Sequence, residues 1–210
     1  MKILRAADRV ASPWKNGGGV TFEIAVGPAG SSLGDFDWRV STALVAADGA
    51  FSHFEDVDRT LLLIAGSGMA LRVGDDATTL TTASEPLLFA GDAPATARLL
   101  DGPITDLNVM VRRGRWTSAV CRQPLPWTES MTDSGVCLLV ALNRTTLRHG
   151  GRDLLLETLD AIVLHHGETV QACSADAGAA LVRIELAAAS DLRAASSVAR
   201  ASQTGAGGST

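Results

Sequence analysis

Three pairs of polar residues stand two positions apart in the first half of the chain: Thr21 and Glu23, Arg39 and Ser41, Asp106 and Asn108. If their segments are strands, that spacing puts both members of each pair on one face. The apolar partners Phe22 and Ile24, Trp38 and Val40, and Leu107, Val109 and Val111 then share the opposite face, while Asp37 and Met110 join the polar one. These polar residues are short or geometrically defined, unlike the Lys and Glu of a solvated surface. One reading is an ordinary half-buried sheet with its polar face in water. The sharper reading is a polar-lined cavity in which donors and acceptors converge on a small ligand. Arg39 and Arg59 each carry a planar fork that matches a carboxylate bidentately. The loop Asp48–Phe54 adds Phe51 and Phe54 around Ser52 and His53. His53 reads either as an exposed imidazole or as a donor at a pocket rim.

The segment PWKNGGGVTFEI, residues 13–24, precedes and includes the first pair. Three consecutive glycines allow a sharp turn or a close approach of the backbone. Lys15 is one of two lysines in a chain with 16 arginines, so a compact ammonium has been placed where Arg is the habit. The glycines follow no strand and open no helix, and no GxxxxGK[ST] occurs, so they are not read as a phosphate cradle. The turn is expected to bring Lys15 and Asn16 to the mouth of a pocket.

Several chemistries lack their residues. The four histidines are His53, His149, His165 and His166; no HxH occurs, and neighbouring His165 and His166 point to opposite faces of a strand, so no metal site and no cofactor are expected. Cys121, Cys137 and Cys173 are odd in number and widely spaced, which fits neither a disulfide framework nor a metal clamp. No GxSxG or HExxH is present. The net charge is -5 and aromatics are 4%, so nucleic-acid binding is not expected; Arg112, Arg113 and Arg115 read as a solvated strand end.

The elements that must hold these residues are strands. Short alternating runs recur between Gly, Pro and Asp turns: Thr21–Val26, Asp37–Leu44, Thr60–Ala65, Met69–Val73, Ala77–Thr81, Pro86–Phe89, Ala95–Leu100 and Thr105–Arg112. After Pro124-Leu125-Pro126 a similar rhythm returns in Val136–Ala141, Thr145–Arg148, Asp153–Leu156, Ala161–Leu164, Thr169–Cys173 and Ala179–Leu186. We read an all-β chain with few short helices and a weak internal duplication, joined by a linker near 115–130. Residues 187–210, rich in Ala, Ser and Gly, are expected to be a largely disordered tail, with a helical stretch over 187–201. The longest apolar run, Leu61–Ala65, is far short of a membrane span, and charges in the first nine residues leave no apolar signal segment, so no membrane partner and a cytoplasmic location are expected.

Six blocks in order carry a family resemblance: PWKNGGGVTFEIA (13–25), FDWRVSTA (36–43), DGAFSHF (48–54), DRTLLLIAGSG (58–68), FAGD (89–92) and GPITDLNVMVRRG (102–114). Together they resemble the HutD/Ves family, strongly over about 1–115 and weakly to about 186. The resemblance implies a double cupin-like (bicupin) β-barrel or jelly-roll fold, with residues 1–115 and 116–186 as its halves. It implies a binding or regulatory protein associated with histidine utilisation that takes a small anionic metabolite of the urocanate or formylglutamate class, with no established catalysis. Carried over block by block, the ligand-binding positions are Lys15, Asn16, Thr21, Glu23, Arg39, Ser41, Ser52, Arg59, Asp106 and Asn108. Lys15, Arg39 and Arg59 would supply charge; Asn16, Ser41, Ser52 and Asn108 hydrogen bonds; Glu23 and Asp106 would orient them. Two departures stand out: Phe22 replaces an Arg usual in the family, and Glu55-Asp56 replaces a frequent Pro-Gly. The alternative is a metal-independent cupin enzyme, an isomerase or lyase, with Glu23 as general base and Lys15 or His53 as acid. A third is a partner protein whose apolar surfaces serve assembly, a homodimer among them.

Overall fold

The computed structural model describes residues 1–14, 17–124, 126–130, 135–173 and 180–191. The described residues are all-β apart from a 3-10 turn at Ala6–Asp8 and a helical turn at 189–191. Three strands open it: β1 Lys2–Leu4, β2 Ala11–Pro13 and β3 Gly19–Gly27. A first unit follows with β4 Trp38–Val45, β5 Gly49–Ala50, β6 Val57–Ala65, β7 Met69–Val73, β8 Asp76–Leu80, β9 Leu87–Ala90, β10 Ala95–Leu99 and β11 Ile104–Arg112. A second unit has β12 Trp116–Pro124, β13 Trp127–Ser130, β14 Val136–Ala141, β15 Thr145–His149, β16 Arg152–Leu156, β17 Ala161–Leu164, β18 Thr169–Cys173 and β19 Ala180–Ala188.

The two units repeat one strand order. In the first, β4-β11-β6-β9 form one sheet and β5-β10-β7-β8 the other; in the second, β12-β19-β14-β17 and β13-β18-β15-β16 take the same places. β2 and β3 extend the larger first-unit sheet beyond β4, and β1 extends the larger second-unit sheet beyond β17. All pairings are antiparallel.

Three apolar layers follow. Ala43, Val45, Leu61, Leu63, Met69 and Leu71 fill the first unit between its sheets. Cys137, Leu139, Leu147, Ile162, Leu164 and Leu181 fill the second. Val40, Leu62, Leu107 and Val109 of the first unit meet Leu138, Val140, Val182 and Ile184 of the second, so the two larger sheets are covered on both faces. That double burial explains runs such as Leu61-Leu62-Leu63, whose members are all within 1% of full burial. Each buried aliphatic side chain contributes about 1.5–3 kcal/mol, so this middle layer alone is a strong bond between units. Trp38 against Trp116 at 6.4 Å and Arg122 Nη2 donating to the Leu63 carbonyl at 2.6 Å add to it.

Three expectations need correction. The supposed linker of residues 115–130 holds β12 and β13, and β12 pairs with β19 along all nine of its residues. Its sequence, WTSAVCRQP, carries no clean alternation, and none of its residues is fully buried: it is an edge strand, partly exposed along its length. Second, the strand preceding the tail takes in Ala187 and Ala188, beyond the expected end at Leu186; residues 192–210 and most of the proposed helical stretch lie outside the described residues. Third, a division at 115 does not keep the N-terminus in the first unit. β1 pairs with β17, the Met1 ammonium meets Glu168, and Asp160 accepts from the Ala6 N–H and Arg5 Nη1, both at 2.7 Å. The chain then crosses to the first unit, where β2 pairs with β3.

Candidate functional site

The interior of the first unit is where the polar pairs go. Register across its larger sheet sets out inward rows: Thr21, Ala43, Asp106 and Leu63; then Glu23, Ser41, Asn108, Leu61 and Leu87; then Val26, Arg39, Met110, Arg59 and Phe89. Alternation therefore places Thr21, Glu23, Arg39, Ser41, Asp106 and Asn108 on one face; the second sheet of the unit covers it at Ser41 and Asp106, while Glu23 at its edge stays exposed. A bulge between Glu23 and Ala25 lets both Ile24 and Ala25 pack in the inter-unit layer. Phe22 pairs with Thr42 on that opposite face, so the change from the family Arg does not alter the inward rows directly.

Arg59 is the centre of the arrangement. It is 4% exposed. Its guanidinium carbon lies 4.9 Å from the Phe51 ring centroid, 5.2 Å from Phe89 and 5.7 Å from Phe54. Phe51 and Phe89 meet edge to face at 6.4 Å, which fixes two walls of the cage. Nε donates to Asn108 Oδ1 at 3.4 Å and Nη1 to the Ser52 carbonyl at 3.3 Å, both long bonds. Among the described residues Nη2 has no acceptor, and no carboxylate stands within ion-pair distance. Burial lowers the Arg59 pKa to about 10, with Asp106 opposing that shift and Arg39 adding to it, so the group is a cation at neutral pH. Gly91 makes the fit possible: a Cβ there would lie 2.9 Å from the Val57 carbonyl and 3.3 Å from Arg59 Cδ.

The other positions divide. Arg39, 11% exposed at its side chain, donates through Nε to Glu23 at 2.8 Å and through Nη1 to Ser41 Oγ at 3.4 Å. Glu23 is 44% exposed, and with Arg39 it also lines an open cleft of about 580 Å³ beside Lys2, Arg5, Asp8 and Arg9. Ser41 is buried. Asp106 is fully enclosed; burial raises its pKa to about 7, against the pull of Arg59 and a backbone hydrogen bond from Ala43. Its Oδ1 has no partner. Thr21 is occupied, accepting from Trp14 Nε1 at 2.8 Å. Ser52 contributes its carbonyl, while its side chain is exposed, as is His53. Lys15 and Asn16 lie outside the described residues. Around them Trp14 N–H donates to Gly19 and Gly17 N–H to Trp14, closing a hairpin between β2 and β3. A Cβ on Gly19 would sit 3.1 Å from the Trp14 ring, so the third glycine is a close approach.

For the enzyme alternative, the expected base Glu23 is tied to Arg39 and half in solvent, and the expected acid His53 is exposed. Among the described residues no three of His, Cys, Asp or Glu converge as a metal centre requires. The basic cluster is exposed at Arg113 and Arg115, as a solvated strand end should be, and it is also tied down: Arg113 bridges Asp58 and Asp92, Arg115 meets Asp37, and Arg112 stacks on Phe36. Asp37, grouped with the polar face from sequence, is thereby spent outside the site. The cage itself was missed. Phe51 and Phe54 were visible as loop aromatics and Phe89 as part of a motif, but nothing local says that they meet around Arg59.

Two two-sheet β units with a polar patch inside the first define a cupin-like protein. The fold recurs in protein Ylba from E. coli, at 7% identity and a TM-score of 0.68, covering 88% of this chain and 90% of that one. It recurs also in a cupin 2 conserved barrel domain protein from Leptotrichia buccalis, at 9% identity and a TM-score of 0.55, covering 89% and 96%.

More narrowly, the chain belongs to the HutD family, whose family model matches residues 6–182. A crystal structure of a conserved protein of unknown function from Pseudomonas aeruginosa PAO1 superposes with a TM-score of 0.76 at 31% identity, covering 88% of this chain and 97% of that one. HutD from Pseudomonas fluorescens SBW25 gives 0.74 at 28%, covering 89% and 98%. A 21.2 kDa protein of Pseudomonas putida, described by its position 3' of hutC, is 31% identical over 159 residues, 73% of this chain and 80% of its own length. Protein Ves of Citrobacter koseri is 34% identical over 129 residues, 61% of this chain and 66% of its own. The family is thus associated with the histidine utilisation locus. Among the described residues no helix is long and apolar enough to cross a membrane.

Proposed function

We propose that this chain is a binding or regulatory protein of histidine utilisation whose first unit takes a small anionic metabolite, of the urocanate or formylglutamate class, between its sheets. In this reading the repeated strand order is a bicupin of two jelly rolls, the first carrying the site and the second supporting it, and the protein acts in the cytoplasm.

The observation that carries the reading is Arg59: a cation 4% exposed, caged by phenylalanines, with no carboxylate partner among the described residues. Buried charges are ordinarily paired, because desolvating one alone costs several kcal/mol. The aromatic faces offset part of that cost. An anion delivered to Nη2 would offset the rest, in surroundings where a charge-assisted hydrogen bond is strong. Arg39 adds positive potential, and the Asn108 amide and Ser41 hydroxyl add directional donors nearby.

Calorimetric titration of the full chain with urocanate and N-formylglutamate tests this. At least one should bind the wild type, and Arg59→Met should weaken it by about 2 kcal/mol or more. No binding of either ligand, or binding unchanged in Arg59→Met, would sink the reading.

A further inference from the structure

Three buried side-chain atoms among the described residues have no hydrogen-bond partner: Arg9 Nε, Arg122 Nε and Asp106 Oδ1. The first two belong to guanidinium groups whose Nη2 atoms hold backbone carbonyls. Asp106 is different. It is an acceptor, 2% exposed, on the inward face of β11 between Ala43 and Leu63 in register, and both neighbours are aliphatic. The inward residues of the covering sheet are Met69, Leu71, Ala95 and Ala97, which donate nothing. Arg59 is near enough to act on it electrostatically, yet its guanidinium is turned to Asn108 and Ser52.

A carboxylate oxygen left without a donor in such surroundings costs about 1–3 kcal/mol or more. An aliphatic residue would fill the same volume without that cost, and the equivalent interior of the second unit does so with Leu139, Leu147 and Leu181. The first unit therefore presents two unmet demands. Among the described residues Arg59 Nη2 has no acceptor, and the Arg59 guanidinium reaches the Asn108 row through its Nε. One row inward, about 7 Å along the strand at two residues' rise, stands an unpaired acceptor. A ligand one ring long spans those rows.

We propose that the ligand is amphoteric: it brings a carboxylate to Arg59 and, about one ring's length away, an N–H donor to Asp106. The proposal rests on the anion-site reading above and sharpens it into a specificity rule. A carboxylate of the same shape without the donor leaves Oδ1 unmet and is rejected on that account, which is how a polar site discriminates more strongly than an apolar one. Above pH 7 the Asp106 carboxyl is ionised and accepts.

The test is calorimetric titration at pH 8 with two matched pairs. Urocanate and trans-cinnamate share a planar ring and an acrylate carboxylate, and only urocanate has a ring N–H. N-formylglutamate and glutarate share two carboxylates, and only the first has an amide N–H. The donor-bearing member of at least one pair should bind the wild type roughly 10- to 100-fold more tightly. Asp106→Leu should bring that ligand down to the level of its donor-free analogue and leave the analogue unweakened. Asp106→Asn, whose amide can turn an N–H toward the ligand, gives a milder form of the same loss if the Leu variant does not fold. Arg59→Met should weaken both members. Equal binding within both pairs by the wild type, or a preference that survives in Asp106→Leu, overturns the specificity rule and leaves the anion site standing. No binding within either pair overturns both.

Discussion

The two units share a strand order and differ in what they enclose. Between its sheets the second unit holds Cys137, Leu139, Leu147, Leu156, Ile162, Leu164, Val170 and Leu181. Among the described residues its buried polar side chains, Thr145 and Asp160, stay at the ends of strands, where Asp160 anchors the N-terminal segment, and the inward-facing Arg183 and Glu185 of β19 are partly exposed and paired with each other. The first unit carries an aliphatic layer at one end, with Asp106 set inside it, and gives the other end to Arg59, Ser41, Asn108 and the phenylalanine cage. One topology thus supports either a stabilising core or a polar site, and the inward residues of the larger sheet decide which. The middle layer between the units lets a first unit with an incomplete core borrow stability from the second.

That division can be broken from either side. The largest effect should follow Leu139→Ala, which opens a cavity in the second unit. Stability should fall by about 2–5 kcal/mol in denaturant unfolding, while ligand affinity of the folded protein stays within about 0.5 kcal/mol. An affinity change of the same size as the stability loss would show that the second unit shapes the site.

Arg59→Met should do the opposite. Affinity should drop by about 2 kcal/mol or more, with stability unchanged or raised, since an isolated buried charge is replaced by an apolar side chain. Denaturant unfolding beside calorimetry separates the two. Arg39→Ala should cost less affinity, about 1–2 kcal/mol, because Glu23 already compensates that charge.

Asp106 makes a pH prediction. Its folded pKa of about 7 lies above the ordinary carboxyl value, so the folded state holds the proton longer than the unfolded one. Its contribution is fully present below about pH 4 and is lost as pH rises to 7, with a slope of at most about 1.4 kcal/mol per pH unit. The charged groups on the same inward face are Arg59, Arg39 and Glu23. In Asp106→Leu the decline between pH 4 and 7 should flatten; an unaltered profile in unfolding experiments would place the titration elsewhere.

The smallest effect concerns the loop entering β6. Asp56 has φ of 54°, in the left-handed region that favours glycine, at the position where relatives often carry the Gly of Pro-Gly. Asp56→Gly should raise the melting temperature by a few degrees, equivalent to about 0.5–1 kcal/mol, without moving affinity.

Strand periodicity is a local property, so the sequence by itself determined that Thr21 and Glu23, Arg39 and Ser41, and Asp106 and Asn108 share a face, and that two runs of strands repeat. Local pattern does not say what covers a face. A sheet with that polar face in water and a sheet with it enclosed have the same alternation, and only the packing of β7 and β10 over the rows distinguishes them. The cage of Phe51, Phe54 and Phe89 depends on a loop and an edge strand meeting over Arg59, and its Phe51–Phe89 contact joins residues 38 positions apart. The pairing of β1 with β17 spans the length of both units, and the half-exposed β12 became a strand only by pairing with β19. The tri-glycine hairpin was legible as a close approach, but its partners, the Leu44 carbonyl and the Trp14 ring, were not. Residue type and spacing fixed which groups face the same way; long-range packing decided that Ser41 and Asp106 are buried, that Arg59 has no counter-charge among the described residues, and that Asp106 Oδ1 has no donor there.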